Sequence, residues 1–130
     1  MITPRFIQKG VSLAAMTTLG VGGDAALFTA PRSIAALVAA LEWANTKGVP
    51  YRILGGGSNV VIADTGLDEL IIRPEMEGQV TESDGSDVLI ECEAGLQWDA
   101  LVATDPFTAT PNGPHLYRKM DSYRRGQIFF

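Results

Sequence analysis

Two glycine clusters carry the residues best suited to chemistry. The more informative is Gly55, Gly56 and Gly57 followed by Ser58 and Asn59. Three residues without side chains let the backbone take positive φ and approach a ligand with no Cβ in the way. Successive amide N–H groups in such a loop can converge into an anion-binding concavity. Ser58 and Asn59 add a hydroxyl and a carboxamide at its far end. No Lys-Ser/Thr follows at the spacing of a P-loop. The pattern therefore suits a pyrophosphate held by neutral amides without a fixed lysine. The bland alternative is a plain glycine-rich turn, and the loop alone leaves both open.

The other cluster is Thr17-Thr18-Leu19-Gly20-Val21-Gly22-Gly23, which with Ala25 satisfies the loose pattern G-x-G-x-x-G/A. A dinucleotide loop of that kind follows a strand, opens a helix, and has an acidic residue about 20 positions on at a strand end. Here the chain meets Pro31 first, a helix begins only at Ser33, and Glu42 falls within that helix. The Rossmann reading fails. One cysteine and one histidine, Cys92 and His115, exclude a disulfide framework, multi-cysteine metal sites and His clusters. Cys92 follows Val88 and Ile90 in apolar alternation and is expected in the core.

These clusters must be positioned by flanking elements. Residues 25–30 read as a strand. Ser33 reads as an N-cap to a helix whose apolar face is Ile34, Leu37, Val38, Leu41 and Ala44, closed by Lys47, Gly48 and Pro50. Residues 51–54 read as a strand running into the glycines, 60–63 as a second apolar strand beyond them, and Asp64-Thr65-Gly66 as a turn before a strand at 69–73. Residues 79–83 and 88–94 flank the hairpin turn Asp84-Gly85-Ser86-Asp87, and 96–103 show helical spacing. Five or six short strands with one long and one short helix make the class α+β or mixed α/β.

Composition narrows the partners. The chain has 130 residues, 46% hydrophobic, with 10 basic and 15 acidic side chains and a net charge of −5. That length fits one domain, and the acidic balance argues against a sequence-independent nucleic-acid binder. No run approaches the roughly 18–20 apolar residues of a membrane span, and residues 11–16 are too short for a signal-peptide core, so a cytoplasmic protein is expected. The first 103 residues carry 6 basic and 13 acidic side chains, the remainder 4 and 2. This shift, with Pro106, Pro111 and Pro114, marks residues 104–130 as a divergent, loosely ordered tail.

The blocks T-T-x-G-V-G-G at 17–23, I-L-G-G-G-S-N-V-V-I at 53–62 and E-A-G-x-x-W at 93–98, in that order, resemble the family of UDP-N-acetylenolpyruvoylglucosamine reductase, also called UDP-N-acetylmuramate dehydrogenase. The likeness covers residues 12–103, the N-terminal part of that family's FAD-binding domain. It implies an α+β fold, the first lobe and start of the second lobe of a p-cresol methylhydroxylase/vanillyl-alcohol oxidase type flavin domain, here truncated. It also implies that Gly55, Gly56, Gly57, Ser58 and Asn59 hold the FAD pyrophosphate with Val60 beside it, and that Ala94 and Gly95 approach the cofactor through their backbone. Thr18, Gly22 and Gly23 would shape the adjoining wall, and Trp98 would pack the lobe.

The implied activity is the NADPH-dependent reduction of UDP-N-acetylglucosamine enolpyruvate in peptidoglycan synthesis. The family's catalytic serine, arginine and glutamate have no counterpart motif after residue 103, so no catalytic residue and no metal site is assigned. The resemblance then implies a chain that is inactive alone, holds FAD weakly or not at all, and presents an uncovered lobe face open to association. Phe107, Leu116, Tyr117, Ile128 and Phe129 would supply apolar cover for that face. The alternatives are a non-catalytic fragment or nucleotide-binding module, and another flavin oxidase of the same superfamily.

Overall fold

A computed structural model of the chain describes residues 3–84 and 87–104. The expected tail from 105 onward, His115, and the tip of the 84–87 turn lie outside the described residues. The chain divides into two compact units. One comprises residues up to Met76 together with Glu93–Gly95, and the other Glu77–Cys92 with residues from Leu96 onward.

The first unit is built on a four-stranded sheet of β1 (Gln8–Ser12), β2 (Asp24–Thr29), β3 (Tyr51–Ile53) and β4 (Leu67–Ile72), in the spatial order β1-β2-β4-β3. β1 pairs antiparallel with β2, while β4 runs parallel to both β2 and β3. Helix α1 (Ile34–Lys47) connects β2 to β3. The second unit holds the antiparallel hairpin of β5 (Gln79–Asp84) and β6 (Asp87–Cys92), and α2 (Trp98–Thr104).

α1 forms where its signals put it. The Ser33 hydroxyl oxygen accepts from the Ala36 N–H at 3.2 Å, satisfying one of the donors a helix start leaves free. The body is rich in Ala and Leu, the strongest helix formers. Gly48 takes φ 63°, its N–H donates to Asn45, and the Val49 N–H donates to Ala44 at 2.9 Å. That crossed pair is a Schellman ending, which favours glycine at the left-handed position.

Alternation along β4 feeds two cores. Leu70 and Ile72 pack with Ala40, Ala44, Ile7 and the half-buried Leu27, Leu37, Leu41 and Trp43 on the helix side. Ile71 packs on the other face with Leu13, Ala25, Phe28, Leu54 and Ile62. A register shift between Ala25 and Leu27 of β2 accompanies the placing of Ala25 with Phe28, three residues on. Burial of each large apolar side chain here contributes about 1.5–3 kcal/mol relative to exposure.

Three expectations are corrected, and one strand is added. Of the expected helix face, Leu37, Leu41 and Ala44 do pack into the core, joined by Ala40, while Ile34 and Val38 are 67% and 43% exposed. Residues 60–63 form no strand, because only Ile62 of that run is buried and none of it joins a ladder. Cys92 is exposed at the end of β6 rather than in a core. β1 was not expected at all, since its Gln-Lys-Gly start hides the strand pattern. Among the described residues no helix is long and apolar enough to cross a membrane. Ser33→Ala removes the α1 cap and is expected to lower unfolding stability by about 1 kcal/mol, read as a lower denaturant midpoint at unchanged slope.

Candidate anion site at the glycine loops

Parallel neighbours cannot be joined by a tight turn, and a crossover of a dozen or more residues is normal. Residues 54–66 are that crossover from β3 to β4, and the Gly55–Gly57 run lies within it. Its two ends are nailed down. Leu54 and Ile62 are each 7% exposed in the core with Leu13 and Phe28, and the Leu54 N–H donates to the Ile72 carbonyl at 2.9 Å. Between these anchors Gly55, Gly56, Ser58, Asn59, Val60 and Val61 are exposed, and Gly57 is buried.

The first glycine cluster is the bed on which this crossover lies. It does not open a helix; it leads from a 3-10 turn at Ala14–Met16 into β2. The Thr18 N–H donates to the Gly57 carbonyl at 3.0 Å, and the Gly23 N–H donates to the Ala63 carbonyl at 2.9 Å. Glycine is required at both sides of the seam. Gly57 has φ +71°, and a Cβ there would collide with the Met16 carbonyl oxygen. Gly22 has φ +124°, and a Cβ there would sit 2.8 Å from Ile62 Cβ.

The loop's own amide donors are uncommitted. The N–H groups of Gly55, Gly56, Gly57, Ser58 and Asn59 have no protein acceptor among the described residues. Ser58 and Asn59 occupy a turn, and their exposed side chains make no hydrogen bond there. Only Gly57 of the three glycines uses positive φ. Gly56 is open: a Cβ on it would meet nothing within 4 Å. A run of unpaired backbone donors on a pinned support fits an anionic oxygen cluster such as a diphosphate, and does so by dipoles rather than by a cation.

The structure places Ala94 and Gly95 in a separate turn of the first unit. The Gly95 N–H donates to the Met76 carbonyl at 2.8 Å, and a Cβ on Gly95 would lie 2.7 Å from the Met76 nitrogen. This glycine serves close packing, and its N–H is already committed. Ala94 is exposed, and Trp98 is half-buried at the start of α2. Sequence reasoning did not single out Leu54, Ile62 and Met16 as the loop's supports. Their signal was present, since an apolar residue stands at each end of the exposed run.

The family model for the FAD binding domain matches residues 25–104. Among relatives, the UDP-N-acetylenolpyruvoylglucosamine reductase of Thermobifida fusca is 40% identical over 96 residues, 73% of this chain and 27% of that protein. The reductase of the same name from Acaryochloris marina is 50% identical over 66 residues, 51% of this chain and 21% of that protein. That of Treponema pallidum is 38% identical over 102 residues, covering 76% and 28%. The chain thus spans about a quarter of the length of these relatives. With four-fifths of its described residues inside the matched region and the donor-lined crossover at its centre, the chain belongs to the FAD binding domain family.

Proposed function

We propose that this chain supplies the pyrophosphate-holding part of an FAD-dependent reductase acting on UDP-N-acetylglucosamine enolpyruvate. The observation that carries the reading is the set of five unpaired N–H groups from Gly55 to Asn59 on a crossover pinned at Leu54 and Ile62. Its support from likeness is the run of reductases matched at 38–50% identity. On this reading residues 12–103 are the first lobe and the start of the second lobe of a p-cresol methylhydroxylase/vanillyl-alcohol oxidase type domain. The setting is cytoplasmic, and an uncovered lobe face is open to association.

The residues have distinct tasks. Gly55, Gly56, Gly57, Ser58 and Asn59 direct amide hydrogens at the phosphate oxygens, and the Ser58 hydroxyl and Asn59 carboxamide add donors. Val60 lies beside them as an apolar rim. Ala94 and Gly95 approach through Cα and carbonyl, because the Gly95 N–H is held by Met76. When bound, FAD would carry hydride from NADPH to the enolpyruvyl double bond, and the protein supplies placement and electrostatics. No group of this chain is assigned to substrate protonation.

The test is a titration of the ¹⁵N-labelled 130-residue chain with FAD, followed by amide shifts. Weak but saturable binding is expected, with the largest changes at residues 55–59; shifts absent there, or confined elsewhere, refute the reading. Gly56→Ala, which meets open space, is expected to leave the thermal midpoint unchanged while weakening FAD several-fold. Gly57→Ala is expected to destabilise the fold by about 1–3 kcal/mol through its positive φ and the Met16 carbonyl. Mixed with FAD, NADPH and the enolpyruvyl UDP-sugar, the chain alone is expected to show no substrate-dependent NADPH oxidation.

A further inference from the structure

The bond between the Thr18 N–H and the Gly57 carbonyl fixes more than a contact. Among the described residues every peptide is trans, and in a planar trans peptide the C=O and the following N–H point in opposite directions. The Gly57 carbonyl is turned toward Thr18 at 3.0 Å. The N–H of the same peptide, that of Ser58, is therefore turned away from the bed and outward. The Thr18 bond is the one backbone hydrogen bond from outside the loop to this peptide plane among the described residues. Both flanking residues are exposed or glycine, and the neighbouring amides of Gly55 to Asn59 have no protein acceptors. A flip of the plane would present a carbonyl oxygen where the loop now presents a donor.

We propose that Thr18 is a positioning residue for the anion site, acting through its backbone N–H: by holding the Gly57 carbonyl inward it keeps the Ser58 N–H aimed at the diphosphate. The inference rests on the proposed function and adds to it a residue and a means. It also explains the local chemistry of the first cluster. Thr18 is the second residue of a turn closed by the Gly20 N–H on the Thr17 carbonyl at 3.2 Å, a turn that leaves the Thr18 N–H free to reach across. The Thr18 side chain is exposed and makes no hydrogen bond, so the side-chain identity at this position is secondary.

That geometry offers a perturbation aimed at the bond itself. Proline lacks the N–H, is favoured at the second position of such a turn, and demands an extended residue before it. Thr17 already has φ −118° and ψ 149°. Thr18→Pro suits the backbone angles of Thr17, but its ring Cδ takes the place of the N–H hydrogen. That carbon would stand well inside van der Waals distance of the Gly57 carbonyl oxygen that the N–H now meets at 3.0 Å. The substitution deletes the hydrogen bond and forces the seam apart there, whereas Thr18→Ala keeps the N–H. Titrated with FAD by amide shifts, Thr18→Pro is expected to bind more weakly than wild type by about tenfold or more and to melt at a lower temperature, and Thr18→Ala is expected to bind as wild type. Equal binding by Thr18→Pro and wild type overturns the inference and leaves the proposed function standing. Absence of saturable FAD binding by wild type overturns the proposed function and the inference with it. If Thr18→Pro does not fold, the wild type decides: with FAD added, the Ser58 amide must shift downfield while the Thr18 amide stays protected from exchange, and a Ser58 amide that does not respond refutes the proposal.

Discussion

The seam between the two glycine clusters is the constraint on which the rest of the site depends. A long crossover has many conformations, and ordering it costs roughly 1–2 kcal/mol of backbone entropy per residue. Here the cost is met at few points: Leu54 and Ile62 in the core, and the bonds from Thr18 to Gly57 and from Gly23 to Ala63. The glycines at 22 and 57 exist because two stretches of main chain pass too close for side chains. Sparse pinning leaves the outward surface of the loop as bare peptide. The donors are free because the supports are all on one side.

This arrangement reconciles an acidic chain with an anionic ligand. A net charge of −5 sets a repulsive far field, but exposed charges beyond about 8–10 Å are largely screened at physiological salt. Fixed amide dipoles act at hydrogen-bond distance and need no compensating lysine. The ion pairs of the first unit serve elsewhere. Arg52 bonds Glu69 across β3 and β4 at 2.9 Å, and Arg32 bonds Glu75 at 3.1 Å. Both arginines are largely exposed, and such pairs contribute little. Neither is an anchor of the loop.

Much of this was legible in the residue pattern, and the reasons for what was not are physical. α1 was readable because its Ser cap and its Gly48-Pro50 stop are local signals, and its inner face was readable at Leu37, Leu41 and Ala44; that Ala40 is covered while Ile34 and Val38 are not is decided by the sheet beneath. The glycine run was readable from residue type as a loop with room for close backbone approach, and its N–H groups from Gly55 to Asn59 are unpaired among the described residues. Its setting was harder: residues 60–63 look like a strand in isolation, and only the parallel pairing of β3 with β4 makes them part of a crossover. β1 lacks an apolar alternation and is held by β2. Cys92 alternates correctly along β6, but alternation gives a side and not whether that side is covered.

The spatial order β1-β2-β4-β3 carries one more consequence, for synthesis of the chain. β2 and β3 do not touch; the last strand of the sheet to be made is the one that fills the gap between them. As the polypeptide emerges from the ribosome, a β1–β2 hairpin and α1 can assemble locally, yet no parallel ladder exists until residue 72 clears the exit tunnel. The crossover, though its partners Leu13, Thr18, Gly23 and Phe28 precede it, is therefore made before the ladder that joins its two ends. Only with β4 in place are β2 and β3 joined in one sheet, through its parallel pairing to both.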